Sequence, residues 1–220
     1  MNWFTRFLTS SLGRKLIMSL TGLFLITFLI IHAMGNLPLI FDDNGASFTA
    51  FVHFMESNFL ISKVLAFGLY AGFIIHMVQG WMIWNSNRKA RGGQKYAVNK
   101  YVKVTWTSRN MALLGTLVFF FLVVHMGDFL VPLKITGALA EHDLYQHAIA
   151  KFKNPLYLVI YELGILALFL HLTHGFQSAF QTLGLTHKKY TPLVKTLGWV
   201  YAIIIPGIFA LIPLYIFFIK

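Results

Sequence analysis

The chain has 220 residues, of which 57% are hydrophobic, 16% aromatic and only 11% charged, and it contains no cysteine. This composition is too apolar for a soluble domain of that length and is typical of an integral membrane protein. The missing thiols exclude disulfides, thiolate metal sites and cysteine-ligated iron–sulfur clusters within this chain. The net charge of +11 lies in short loops without a nucleic-acid-binding module, so we expect no nucleic-acid partner.

Five apolar stretches are long enough to cross a bilayer as helices, over residues 16–35, 61–85, 110–131, 156–179 and 193–219. The first follows Arg6, Arg14 and Lys15 as a secretory signal would. Its apolar run is longer than a signal core and further spans follow, so we interpret it as a membrane helix. The sequence predicts an all-α integral membrane protein: one membrane domain over residues 1–220 with five transmembrane helices, the first four forming a four-helix bundle.

Lysine and arginine are distributed unevenly between the two ends of the predicted bundle. One end carries only basic residues: Arg6, Arg14, Lys15, Arg88, Lys89, Arg91, Lys95, Lys100, Lys103, Arg109, Lys188, Lys189 and Lys195. The other end mixes lysines with nearly all the acidic residues. By the positive-inside rule the amino terminus is cytoplasmic and the carboxyl terminus lies outside. Topology and anionic lipid explain the basic face, and docking of a soluble partner is the alternative.

Four histidines lie in four different predicted spans: His32, His76, His125 and His171. His32 and His125 are near the outer ends of the first and third spans. His76 and His171 are each roughly fifteen residues into their spans, about 22 Å from the outer entrance. An unpartnered imidazole in hydrocarbon is costly, so each is a candidate functional residue. The matched depths predict two pairs, His32 with His125 near the outside and His76 with His171 nearer the cytoplasm.

Two imidazoles that face each other can fill both axial positions of a heme iron, so two pairs at two depths predict two stacked hemes. Gly80 and Gly175 follow His76 and His171 by four residues and share a helix face with them. A missing side chain there leaves room for a flat macrocycle, although close helix packing also explains such glycines. Hemes with both axial positions filled transfer electrons and bind no oxygen or substrate.

The other histidines have weaker patterns. His174 lies one turn beyond His171, and either could reach the inner heme. We favour His171 because its spacing to Gly175 matches that of His76 to Gly80, and we interpret His174 as a neighbour of a propionate or of a proton path. His53 is expected at the interface. Three more are expected on solvated loops: His142, His147 and His187.

Several fragments, taken in order, carry a family resemblance over essentially the whole chain. They are Gly13-Arg14-Lys15 with Met18, Thr21 and Gly22; His32-Ala-Met-Gly-Asn; Ala50-Phe-Val-His-Phe-Met-Glu56; His76-Met-Val-Gln-Gly80; Ser108-Arg109; and the run His171-Leu-Thr-His-Gly-Phe-Gln-Ser-Ala-Phe-Gln-Thr-Leu-Gly184. With these, the chain resembles the membrane cytochrome b subunit of succinate:quinone oxidoreductases, in the single-subunit, five-helix, two-heme form.

The resemblance implies partners and chemistry. Such a subunit of the bacterial cytoplasmic membrane anchors an iron–sulfur protein and an FAD-bearing flavoprotein on its cytoplasmic face, where this chain is basic. The implied cofactors are two heme b groups, with ligands at His32, His76, His125 and His171. FAD and iron–sulfur clusters belong to the partner subunits, so this chain alone should not oxidise succinate. The expected substrate is a membrane quinone, menaquinone for two hemes. The direction, succinate oxidation or fumarate reduction, and dimerisation of the complex stay open.

Two acidic residues are candidates for the quinone site or for proton transfer. Glu56, just before the second span, lies where similar subunits bind quinone, although it is equally explained as an interfacial carboxylate. Glu162 lies about two turns into the fourth span and should be protonated or hydrogen-bonded there. Some fumarate reductases of this kind carry a glutamate two residues before the ligand in the fourth helix. This chain has Phe169, so that proton relay is not expected.

Three other functions compete with this hypothesis. A cytochrome b subunit of a hydrogenase or nitrate reductase also pairs histidines, but on different helices with different spacing. A transporter or channel could use the histidines for protons or for a metal, and the purified protein would then be colourless. A di-iron enzyme is disfavoured, since only His171 and His174 form a close pair and the carboxylates to complete such a site are missing.

Overall fold

The computed structural model describes residues 2–92 and 105–220, so Lys95, Lys100 and Lys103 of the predicted basic loop lie outside the described residues. Within those ranges the chain is helical and has no β-strand. The α-helices in chain order are α1 (Trp3–Thr9), α2 (Ser11–Asn36), α3 (Ala46–Ser57), α4 (Ala66–Arg91), α5 (Trp106–Arg109), α6 (Met111–His125), α7 (Leu144–Phe152), α8 (Pro155–Thr182) and α9 (Thr191–Phe218).

Five helical stretches are long and apolar enough to cross a membrane, which confirms the predicted fold class. They are Ser11–Ile40, Leu60–Ala90, Met111–Ile135, Pro155–Thr182 and Thr191–Phe218. Two of them include π-helical turns, Leu60–Leu65 before α4 and Met126–Ile135 after α6. A π-turn widens a helix locally and is often found at a functional site.

Local sequence explains where the long helices begin. The Ser10 hydroxyl oxygen accepts a hydrogen bond from the Gly13 N–H at 3.0 Å, which caps α2. Asn154 caps α8 by accepting from the Leu156 N–H at 2.9 Å, and Pro155 occupies the first helical position, where its missing N–H costs nothing. These caps satisfy backbone groups that hydrocarbon could not.

Helices α2, α4, α6 and α8 form a closed ring in which each contacts the next, and α9 packs outside the ring against α8 and α2. The Tyr201 hydroxyl of α9 donates to the Ile26 carbonyl at 2.7 Å and fixes this packing. Large apolar side chains such as Phe67 and Leu163 remain exposed on the outside of the bundle. In a bilayer these faces contact lipid.

The two ends of the bundle differ. At the basic end, defined by the start of α2 and the end of α4, the described chain has only short additions, α1 and α5. At the opposite end, which we call the capped end, α3 and α7 pack over the bundle around a buried cluster that includes Phe48, Tyr145 and Phe152. The Lys220 ammonium donates there to the Phe41 carbonyl at 2.7 Å. The capped end is therefore the better packed of the two.

Candidate functional site

His76 of α4 and His171 of α8 face each other across the bundle, with ring centroids 6.3 Å apart and ring planes at 70°. The Thr21 hydroxyl lies 3.3 Å from Nδ1 of His76 and donates to the Ile17 carbonyl at 2.8 Å. With the hydroxyl proton directed at Ile17, the threonine oxygen is free to accept from an Nδ1–H of His76. That tautomer leaves a lone pair on Nε2, as a metal-ligating histidine requires.

His32 of α2 and His125 of α6 form a second pair, with centroids 5.7 Å apart and planes at 84°. The Asn36 amide nitrogen lies 3.3 Å from Nδ1 of His32 and donates to the His32 carbonyl at 2.7 Å. Phe28 stacks on His32 at 5.1 Å, and Phe121 stacks on His125 at 5.9 Å. The structure thus brings the four predicted histidines together as the two predicted pairs.

The two halves of the bundle repeat in sequence. On α2 and α6 four residue types recur 93 positions later: Met18, Gly22, Phe28 and His32 correspond to Met111, Gly115, Phe121 and His125. On α4 and α8 the recurrence is 95 positions: His76 and Gly80 correspond to His171 and Gly175. The hairpins α2–α4 and α6–α8 are therefore equivalent units, and each contributes one histidine to each pair.

The contacts around the His76–His171 pair repeat as well. A Cβ atom added to Gly22 would lie 3.2 Å from Cε1 of His76, and one added to Gly115 would lie 3.6 Å from Cε1 of His171. Each of these two imidazoles therefore packs against a glycine of the neighbouring helix. Any longer side chain at either position would displace the ring.

Gly80 and Gly175, which the sequence suggested as space for a macrocycle, each face the end of a methionine. A Cβ at Gly80 would lie 3.2 Å from the Met18 methyl carbon, and one at Gly175 would lie 3.3 Å from the Met111 methyl carbon. Methionine side chains are unbranched and adaptable, so they can withdraw from a flat group more easily than a branched residue. The glycine hypothesis is compatible with this packing and stays a prediction.

The residues present fit a heme at each pair. An imidazole nitrogen lies about 2 Å from a metal that it ligates, and the ring centre lies about 1 Å further on, so two rings on one metal have centroids about 6 Å apart. The observed separations of 5.7 and 6.3 Å match this value. In the described chain the Nδ1 atoms of His125 and His171 are buried without a hydrogen-bond partner. A metal held through Nε2 would not satisfy these Nδ1 atoms, so the fit rests on the ring separations.

His174 lies one turn beyond His171 on α8, while the ring that contacts His76 is that of His171. His53 is exposed on α3, and His142 and His187 are also exposed, as expected. The expectation for His147 is wrong. It lies on α7, is only half exposed, and its Nε2 lies 2.9 Å from the Asp128 carbonyl oxygen. Helix α7 folds back over the bundle, which a loop assignment did not anticipate.

Asp128 is the main site residue that sequence analysis missed. It was counted with the polar outer end, although it falls three residues inside the predicted third span, and the structure leaves it only 8% exposed. Its two carboxylate oxygens accept from the Lys151 ammonium at 2.7 Å and from the Tyr161 hydroxyl at 3.0 Å. The Tyr161 ring lies 5.9 Å from that of His125. A charged cluster therefore borders the His32–His125 pair.

Lys151 of this cluster lies on α7, outside the membrane-crossing helices. Burial lowers the pKa of Lys151, but its hydrogen bond to Asp128 and its contact with the Tyr157 side chain outweigh burial, so the pKa is raised overall. The Lys151 ammonium also lies 4.1 Å from the centre of the Tyr157 ring. The lysine is thus held in its charged form, and the buried carboxylate of Asp128 keeps a cationic partner.

A cavity of about 340 Å³ opens between α4 and the π-helical turns that follow His125. Its walls are apolar except for two side chains, Tyr70 and Lys134. Lys134 forms an ion pair with Glu56, the predicted quinone-site acid. Met126, which follows His125 directly, lines the inner wall. This is the size and character of a site for an apolar ligand that carries a few hydrogen-bonding groups.

Glu162, the second acidic candidate, lies on α8, and its Oε1 atom is buried without a hydrogen-bond partner in the described residues. In residues 2–92 and 105–220 no hydrogen bond or ring contact joins it to the cavity or to either histidine pair. An unpaired buried carboxyl group is costly unless it is protonated. Glu162 therefore stays a candidate for proton transfer on the strength of its burial alone.

In residues 2–92 and 105–220 no three histidine or acidic side chains lie close enough together to hold a metal ion directly. A di-iron site needs at least such a cluster of histidines and carboxylates. Within the described residues the arrangement therefore disfavours the di-iron alternative.

Comparison of the chain with protein-family models, with curated proteins and with solved structures finds no match. The resemblance to cytochrome b subunits therefore stays a prediction from the sequence.

Proposed function

We propose that this chain is the di-heme cytochrome b subunit of a succinate:quinone oxidoreductase, which anchors the iron–sulfur and flavoprotein subunits and transfers electrons between the iron–sulfur protein and a membrane quinone. The observation that carries the proposal is the pairing of four histidines from four helices at two levels, with centroid separations of 5.7 and 6.3 Å. A chance pair of buried histidines would not require the same methionine, glycine and phenylalanine neighbours at equivalent positions of both halves.

Each pair would hold one heme b, His32 and His125 the outer one and His76 and His171 the inner one. Groups bound in this way supply one-electron transfer, because two imidazoles leave no open position on the iron. The chain's own contribution is orientation. Thr21 sets the tautomer of His76 through a 3.3 Å contact, and Phe28 and Phe121 hold the rings of the outer pair by stacking.

The quinone would bind in the cavity next to His125. A quinone is a flat apolar ring with two carbonyl oxygens, and the cavity offers almost entirely apolar walls. Tyr70 and Lys134 line it, and their polar ends would have to turn inward to donate to the quinone oxygens. Reduction of a quinone to a quinol consumes two electrons and two protons, and Glu56, paired with Lys134, would pass these protons one at a time from the solvent outside. Menaquinone is the species that the resemblance implies.

The basic end would face the cytoplasm and receive the iron–sulfur subunit. In the described residues Arg88 and Lys89 lie at this end without an acidic partner within ion-pair distance. An exposed cationic surface steers an acidic partner protein toward it. This orientation in the bacterial cytoplasmic membrane places the capped end, with the proposed quinone cavity, on the outside.

The test is a reduced-minus-oxidised absorption spectrum of the purified full-length chain with heme quantification by the pyridine method. We expect two low-spin b-type hemes per chain. Colourless protein, with helical content intact by circular dichroism, would overturn the proposal and favour a histidine-based transporter. Copurification of a flavoprotein and an iron–sulfur protein separates this complex from a hydrogenase or a nitrate reductase.

A further inference from the structure

A second cavity, of about 160 Å³, lies at the basic end between the first turn of α2 and the last turns of α4. Its lining includes two cations, Arg14 and Lys15, and the polar side chains of Ser86 and Asn87. The histidine pairs and the cavity beside His125 are built from other residues, so this site is separate from the proposed electron path.

The two cations have no protein partner in the part of the chain that the structure describes. Neither the Arg14 guanidinium nor the Lys15 ammonium makes an ion pair or a side-chain hydrogen bond there. Three lysines of the capped end differ, since Lys134, Lys151 and Lys220 each contact a carboxylate, a carbonyl or a hydroxyl group. Two neighbouring cations that line one cavity without a counter-ion favour an anionic ligand.

The backbone around the cavity adds to this preference. The Ser10 side chain caps α2 through the Gly13 N–H, which leaves other amide groups of the first turn without a side-chain acceptor. The positive end of the helix dipole lies at the same place. Arg14 and Lys15 line the cavity by themselves, and the helix end adds to their positive charge.

The position of the cavity in the bilayer identifies the source of the anion. Ile83 of α4 forms the apolar part of the lining. Trp81 and Trp84 on the same helix are 64% and 39% exposed. Exposed tryptophans are typical of the headgroup level of a membrane, and basic pockets between helices at that level bind anionic headgroups.

We propose that the cavity formed by Arg14, Lys15, Ser86 and Asn87 binds the phosphate group of an anionic phospholipid, with the acyl chains lying along Ile83 and the exposed face of α4. The arginine guanidinium and lysine ammonium bind the phosphate oxygens, and the serine and asparagine side chains donate further hydrogen bonds. Such a lipid would hold the start of α2 against the end of α4, where no described ion pair does so.

Native mass spectrometry of the full chain in a neutral detergent, titrated with dioleoyl phosphatidylglycerol or with dioleoyl phosphatidylcholine, tests the proposal. We expect the unmodified chain to retain one phosphatidylglycerol at least tenfold more tightly than phosphatidylcholine. Arg14→Gln combined with Lys15→Gln should weaken phosphatidylglycerol binding by about tenfold or more, since each cation near a headgroup contributes roughly a fivefold effect. The matched control is Lys188→Gln with Lys189→Gln, which removes two charges from the same end but outside the cavity and should bind normally.

A second variant covers the case in which loss of two basic residues disturbs insertion or folding. Ser86→Leu with Asn87→Leu fills the cavity without changing charge, and it should weaken phosphatidylglycerol binding as strongly as the charge variant. Equal weakening by the Lys188/Lys189 control would mean a diffuse field of the whole face and would overturn the site. The competitor is inorganic phosphate at 10 mM, about a hundred times a sub-millimolar dissociation constant. Displacement of the lipid by this phosphate would assign the cavity to free phosphate and overturn the lipid assignment.

Discussion

The two histidine pairs have the same imidazole geometry but different surroundings. Around His76 and His171 the neighbours are small or flexible, glycines and methionine ends, and the helices are regular. Around His32 and His125 the neighbours are aromatic rings, a buried charged cluster and a run of π-helical turns.

The difference indicates two tasks for two copies of one unit. The His76–His171 pair lies among glycines and methionine ends, with the Thr21 hydroxyl as a polar contact of His76, a setting that suits electron passage. The His32–His125 pair borders an apolar cavity with an ion pair at its edge and a buried carboxylate on its other side. Those are the groups that a coupled electron and proton transfer to quinone requires. The repeat accounts for the histidines of both pairs, and the residues packed at the capped end account for the different surroundings of the His32–His125 pair.

The largest expected effect is the loss of a single heme when a histidine of one pair is replaced, while the heme of the other pair is kept. His76→Ala or His171→Ala should reduce heme content from two to one per chain and leave the outer heme, because each imidazole supplies one of two axial bonds. His32→Ala or His125→Ala should instead leave the inner heme. Pyridine hemochrome assay and low-temperature spectra of the purified variants measure this.

Exposed histidines provide the control for that experiment. His53→Ala and His187→Ala, on α3 and in the loop after α8, should keep both hemes. If His76→Ala and His171→Ala both retained two hemes, the pairing would be wrong. If His174→Ala removed the inner heme while His171→Ala kept it, the ligand on α8 would be His174.

The next effect concerns the cavity that only the His32–His125 pair possesses. Lys134→Met or Glu56→Gln should slow oxidation of the reduced full-length chain by an added naphthoquinone by about a hundredfold, with both hemes retained, since proton transfer by a positioned group contributes roughly that much. Stopped-flow absorbance measures the rate. Lys153→Met, an exposed lysine at the same end, should leave the rate unchanged. A normal rate in Lys134→Met would remove the cavity from the quinone path.

Sequence alone predicted the spans and the histidine pairs because hydropathy and depth are properties of single helices. The repeat of Met18, Gly22, Phe28 and His32 was also readable, and a search for periodicity would have found it. The surroundings of His125 were not predictable in this way. Asp128 is bonded by Lys151 and Tyr161, which lie 23 and 33 positions away. Lys151 reaches it because α7 folds over the bundle, and Tyr161 reaches it because α8 packs beside α6. No local pattern encodes that return of the chain.

The charged cluster yields a stability effect that the His76–His171 level lacks. Asp128→Asn leaves the Lys151 ammonium without its anion, and we expect a loss of about 2 kcal/mol in the free energy of unfolding, below the full cost of a broken buried pair. The expected loss is smaller than for a fully buried pair because the Lys151 side chain is 23% exposed. Thermal unfolding in detergent measures it, with Asp143→Asn as control. Asp143 pairs with His142 in an exposed bridge worth less than about 1 kcal/mol.

The same cluster predicts a pH dependence. The pKa of Lys151 is raised in the folded chain, so its contribution to stability is fully present below the ordinary lysine pKa of about 10.4 and is lost as pH rises through the raised value. The unmodified chain should therefore lose stability at alkaline pH more steeply than Asp128→Asn. Parallel curves for the two proteins above pH 10, about the ordinary lysine pKa, would contradict a lysine held by Asp128.

The smallest expected effect is a difference between Gly22 and Gly115, the repeat-related glycines that pack against His76 and His171. In Gly22→Ala the new methyl carbon would lie 3.2 Å from Cε1 of His76, which forces a shift of a few tenths of an ångström, whereas in Gly115→Ala it would make an ordinary 3.6 Å contact with His171. Alanine is the better helix former by up to about 1 kcal/mol, so neither variant should unfold. We therefore expect Gly22→Ala alone to shift the low-temperature α band of the inner heme. Gly68→Ala on α4, with open space at its Cβ position, is the control, and equal shifts in both repeat variants would show that the two hairpins hold their imidazoles with the same tolerance.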